Sequence, residues 1–153
     1  MSTATMFAGS TVAREDWRED MIGLALDAYY GESTDVFSHA IVANALEDVR
    51  VRDVLIWYVA GATDSQIIDV QQILCEMWDE GSETAPVATF IALTCMFVDH
   101  KNAAFEWTTR AMNMDLGYSL AQLCFVTLVN DLPTQALASM FNGIDYDTVR
   151  YGA

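Results

Sequence analysis

Glu76, Asp79 and Glu80, with Glu83 beside them, are the densest group of side chains that could move a proton. Acid–base chemistry needs such carboxylates in a cleft whose surroundings drive their pKa values apart. These acids instead fall at a helix C-terminus, where the helix dipole disfavours negative charge and water solvates it. They read as a solvated helix end. His39 follows Asp35 by four residues and reads as a helix-surface or interface histidine paired with that acid. His100 directly follows Asp99 and reads as a turn residue. Neither histidine belongs to an HExxH, CxxC or calcium-loop pattern. Cys75, Cys95 and Cys124 are odd in number, widely spaced and set on apolar helix faces, as buried free thiols in a reducing compartment are. No GxSxG elbow, glycine-rich phosphate loop or cysteine beside a histidine is present. The sequence therefore offers no catalytic, cofactor-binding or metal-ligating residue, and no cofactor is expected.

The elements that would position any site are helical throughout. Ser10 or Thr11 can cap a first helix to about Tyr30, with Trp17, Met21, Leu24 and Ala28 as its buried stripe. Ser33, Thr34 and Asp35 read as the next cap, before a helix to about Asp48 with Phe37, Ala40, Ile41 and Asn44 inward. A third helix, Val49 to Ala60, buries Val51, Val54, Leu55 and Tyr58; the two could also form one bent helix. Thr63 with Gln66 fits a capping box for a helix to about Glu80, which buries Ile67, Val70, Leu74 and Met77 or Trp78 and ends at Gly81.

Residues 84–132 hold the core. Thr84 caps the next helix and Pro86 sits in its first turn, where the missing N–H costs nothing. No charge occurs from Pro86 to Val98, so neighbours should surround it; its thirteen residues fall short of the roughly 20 that span a bilayer. After the Asp99–Asn102 break comes a more amphipathic helix with Ala104, Trp107, Thr108 and Ala111 in one stripe, its alanines small enough for close backbone approach. Gly117 is free to take a positive φ in the following turn. Tyr118 to Val129 is a second uncharged, apolar helix, and Pro133 to Phe141 returns from it. The expected fold is all-α, a short stack of antiparallel helical hairpins with about seven or eight helices. Residues 1–10 read as a mobile N-terminus, 11–141 as one domain, and 142–153 as a mostly polar tail that Ile144, Tyr146, Val149 and Tyr151 could pack down.

The hairpin spacing resembles a tetratricopeptide-like repeat, with Ala92, Ala104 and Ala111 at the small-residue places. Leu116 stands where such repeats carry proline, and their large aromatic positions are not kept. Segments 45–55, 85–93, 103–111 and 115–121 resemble the C-terminal half of the actinobacterial domain-of-unknown-function family 4192, over roughly residues 43–140. That resemblance implies a helical fold and an actinobacterial or actinophage setting, and transfers no activity or site residue.

Charge narrows the function classes further. The chain carries 22 acids against 7 bases, a net −15, and residues 1–83 hold 16 of the acids. Binding a phosphate backbone needs Lys and Arg to displace counterions, so direct nucleic-acid or anionic-membrane binding is not expected. The N-terminal residues MSTATMFAGS lack a basic region and a long apolar run, and a cytoplasmic setting is expected. Three readings follow, the third being a minor enzyme reading centred on Glu76, Asp79 and Glu80. In the first, the chain is a non-enzymatic scaffold or adaptor that holds another protein or a second copy of itself, with off-stripe Trp57 and Phe105 as anchors. In the second, it is an acidic mimic of nucleic acid that inhibits a host DNA-binding protein through Glu15, Asp16, Glu19 and Asp20.

Overall fold

The computed structural model describes residues 11–31 and 35–152. The expectations for residues 1–10 and for a cap at Ser33 and Thr34 lie outside the described residues. Within them the chain is all-helical: α1 Thr11–Tyr29, α2 Val36–Ala45, α3 Val49–Ala60, α4 Asp64–Asp79, α5 Ala85–Phe97, α6 Lys101–Met114, α7 Ser119–Val129, α8 Gln135–Asn142 and α9 Tyr146–Tyr151. That is nine among the described residues rather than seven or eight. The ninth forms from the segment read as a tail. None is long and apolar enough to cross a membrane.

Local chemistry sets most helix starts. Asp48 separates α2 from α3 by accepting hydrogen bonds from the N–H groups of Arg50 and Val51, which settles the bent-helix alternative in favour of two helices. Asp35 caps α2 in the same way. Thr63 and Gln66 form the reciprocal capping box of α4, and Thr84 caps α5. Gly81, at φ 114°, ends α4 in a conformation that L side chains rarely adopt. Gly117 keeps a negative φ; there Asp115 Oδ1 accepts from the Gly117 N–H at 3.1 Å.

Helix α5 is the axis of the molecule. Every residue from Val87 to Phe97 is buried, and α5 packs against α4, α6, α7 and α8. Ala88, Ala111 and Ala121 meet where α5, α6 and α7 approach closely. The threonines buried here, Thr89 and Thr108, satisfy their hydroxyls on the carbonyls four residues back. Trp78 and Trp107 cross edge to face at 5.2 Å between α4 and α6, and Arg110 lies over the Trp107 ring.

Four expectations are corrected, the first at Tyr58, read into the buried stripe of α3 but exposed. On α2, Phe37 is 72% exposed and Ala40 and Asn44 also face water, while His39, Val42 and Ala43 are buried. The inward face is turned because α2 packs on α1 and α4 along its histidine side. On α1 the fully buried residues are Ile22, Ala25, Ala28 and Tyr29, with Trp17, Met21 and Leu24 only half-buried beside them. Helix α8 packs on α3 and α5 instead of running back along α7. The α7 flank is therefore left open.

Candidate interaction surface

Helix α7 contains no charged side chain, and it lies at the edge of the stack with α6 and α5 as its chief neighbours. Leu120, Ala121, Cys124 and Thr127 face inward. The opposite side presents Leu123, Val126 and Val129, exposed at 42%, 52% and 56%. Their three-residue spacing makes one continuous stripe. Phe105 of α6, also exposed, extends it by packing against Phe125 with ring centroids 6.2 Å apart. Leu132 continues it past the end of α7. Contiguous apolar surface of this kind marks interaction sites more often than scattered exposed leucines do.

Two tied turns fix one end of this surface. Asp99 and Asp131 close α5 and α7 in the left-handed region, at φ 62° and 51°. Thr134 donates to Asp99 at 3.1 Å, and Lys101 bridges to Asp131 at 3.3 Å. A cavity of about 220 Å³ lies between these turns, with Phe105, Leu128 and Leu132 among its walls.

Of the expected partner residues, Phe105 alone joins the apolar surface. Trp57 does not. Its Nε1 donates to the Ile144 carbonyl at 2.8 Å, and its ring meets Tyr146 at 5.3 Å, so the C-terminal segment occupies it. Glu15 and Glu19 do not face outward as a free acidic patch either. Both grip the guanidinium of Arg150 on α9, at 2.7 and 2.8 Å, and Arg150 is 1% exposed. Only Asp16 and Asp20 of that set stay exposed and outside any ion pair among the described residues. The C-terminal segment packs down at the same point: Arg150 and Val149 bury and α9 packs on α3, while Tyr151 stays exposed.

The groups that could do chemistry are committed to structure. His39 is buried, and its Nδ1 lies 2.9 Å from Glu80 Oε1, so its carboxylate neighbour is across the fold and not only the Asp35 one turn away. Burial pushes the Cys95 thiol up to about 11, although the hydrogen bond that Gln71 donates to its sulfur opposes it, and the Cys124 thiol up to about 12. Cys75 is raised for the same first reason, with the nearby Asp79 adding to it. Protonated thiols are poor nucleophiles. Among the described residues no three His, Cys, Asp or Glu side chains converge as a metal site.

Sequence reasoning saw that α7 is apolar and uncharged but not that half of it is bare. What it missed is the path of α8, which packs on α3 and α5 instead of back over α7. The chain matches no family model, no curated protein and no solved structure.

Proposed function

We propose that the chain is a non-enzymatic protein-interaction module, a scaffold or adaptor of cytoplasmic, actinobacterial or actinophage setting, whose α7 face binds a protein surface. The first occupant is a second copy of the chain. The observation that carries this reading is the bare, charge-free stripe Leu123, Val126 and Val129 beside Phe105. A two-fold pairing places the same patch on both sides, and a patch without charge does so without burying unpaired ions. Sixteen of the 22 acids lie in residues 1–83, away in sequence from this helix. The likeness to family 4192 and to tetratricopeptide-like hairpins belongs to this reading as its proposed ancestry.

The acidic-mimic reading has less support. Two of its four named carboxylates are held by Arg150, which leaves Asp16 and Asp20 as a sparse imitation of a phosphate backbone.

Light scattering tests the first reading. The wild type is expected to exceed its 17.0 kDa chain mass at raised concentration, and Val126→Glu to return it to that mass with its helicity intact. A Val126→Glu protein that associates as the wild type does would remove α7 from the interface.

A further inference from the structure

A second cavity, of about 300 Å³, opens on the other side of α7, between α3, α7 and the α8–α9 segment. Leu120, Leu123, Met140, Phe141, Ile144 and Val149 form its apolar walls, and Arg50, Arg52 and Asp53 stand among them. In a chain with three acids for every base, these cations would be expected to carry carboxylates. Arg52 does: it pairs with Asp53 at 2.8 Å and donates to the Tyr118 hydroxyl at 3.0 Å. Arg50 does not, for it forms no ion pair among the described residues.

Several acids of the neighbouring elements are already committed, while Asp147 of α9 is exposed and forms no ion pair among the described residues. Asp48 is held by Arg18 at 3.1 Å, Asp53 by Arg52, and Glu15 and Glu19 by Arg150. Gly152 lies so close under the Arg50 guanidinium that an added Cβ would collide with it. The head group is thus lodged against the end of α9 beside the cavity. An apolar recess with a single uncompensated guanidinium is complementary to a molecule with one carboxylate and a hydrocarbon body. Guanidinium matches carboxylate in geometry as well as charge. The volume is at the small end of ligand pockets, roughly 300–1,000 Å³, which limits the ligand to fragment size.

We infer that this cavity is a binding site for a small aliphatic monocarboxylate, its carboxylate on Arg50 and its chain against Leu120, Leu123 and Ile144. The inference does not depend on the α7 face being an interface, although Leu123 borders both.

The probe is sodium octanoate, titrated into the full chain by calorimetry and followed in parallel by tryptophan fluorescence, since Trp57 also lines the cavity. Octanol and octylammonium are the matched neutral and cationic probes. Octanoate is expected to bind saturably and at least about tenfold more tightly than either, as a charge-assisted hydrogen bond implies. Arg50→Gln should weaken octanoate by about ten- to a hundredfold, Arg50→Lys should keep most of the affinity, and Arg110→Gln, which removes a cation elsewhere, should change nothing. Should Arg50→Gln lose its helical circular dichroism, Leu123→Glu carries the test. It places a carboxylate on the half-exposed wall, and octanoate binding should be lost. The inference is overturned if wild type shows no saturable octanoate binding, if octanol binds equally well, or if a folded Arg50→Gln or Leu123→Glu variant binds octanoate as wild type does.

Discussion

Arg150 Nη1 lies 2.7 Å from Glu15 Oε2 across 135 residues of sequence, and this contact fastens α9 to α1. The same guanidinium donates to Glu19 Oε1 at 2.8 Å and to the Glu15 carbonyl at 3.3 Å. Its burial costs solvation that these partners offset, together with the Tyr151 ring 4.8 Å from the guanidinium. Replacing Arg150 with Ala should lower unfolding free energy by about 2–3 kcal/mol, the worth of hydrogen bonds to a charged group. Removing both acids with Glu15→Ala and Glu19→Ala should cost more, about 3–5 kcal/mol, because it strands a buried cation. Urea denaturation of the three proteins measures the order.

The same contact gives the stability a pH dependence. Burial acts to raise the Glu15 pKa, but the hydrogen bonds and charges of Arg18 and Arg150 outweigh it and hold the carboxyl below its ordinary 4.5. Asp35 is held below 3.8, chiefly by the N–H groups of Phe37 and Ser38. A carboxylate with a depressed folded pKa stabilises the fold above its unfolded pKa and loses that contribution as pH falls through the folded value. Stability should therefore hold from neutral pH down to the ordinary carboxylate range and decline below it. Arg150→Ala should decline less steeply. Denaturant midpoints measured across the acid range check both.

Tyr29 offers a stabilising change. Its hydroxyl is buried with no hydrogen-bond partner among the described residues, and burial drives its pKa upward. The ring itself is well used, meeting Phe90 edge to face at 5.8 Å. Tyr29→Phe keeps the ring and removes the orphan group. It should raise stability by about 1 kcal/mol, read as a higher denaturant midpoint; a loss of stability would mean that the hydroxyl finds a partner in solution.

Trp57 and Phe105 should separate cleanly. Trp57→Phe removes the bond to the Ile144 carbonyl and should cost about 1 kcal/mol of stability, with faster amide exchange in α9 and no change in association. Phe105→Ala should leave stability within about 1 kcal/mol, since the ring is 44% exposed, and should weaken association. Identical effects of the two would contradict the division of roles.

Much of the core was legible because its determinants are local. Thr63, Gln66, Thr84, Pro86 and Gly81 announce helix ends through bonds to backbone a few residues away, and the uncharged run of α5 announces complete burial. The apolar pattern of α2 allowed two faces, and only its packing against α1 and α4 selected the one that buries His39 and exposes Phe37. Arg150 was illegible for a related reason. Its partners are on α1, and no spacing rule links residue 150 to residues 15 and 19. The site shows the same division: that α7 is apolar is a property of its sequence, whereas its bare outer side depends on where α8 goes.

Asp16 and Asp20 distinguish the two functional readings. Replacing both with Lys should abolish binding if the acids form a nucleic-acid mimic, and should leave α7 association intact or stronger if they do not. Two copies at −15 repel each other, and salt screens that repulsion within about 8 Å at physiological ionic strength. Self-association should therefore tighten as salt rises, opposite to the behaviour of a mimic complex.

Sedimentation equilibrium of the wild type, at low and high salt over a range of concentrations, tests the central claim most directly. The α7 interface predicts a mass that climbs from 17.0 kDa toward twice that value with concentration, and sooner at high salt. A mass fixed at 17.0 kDa under every condition would contradict the claim that this face takes a second copy of the chain.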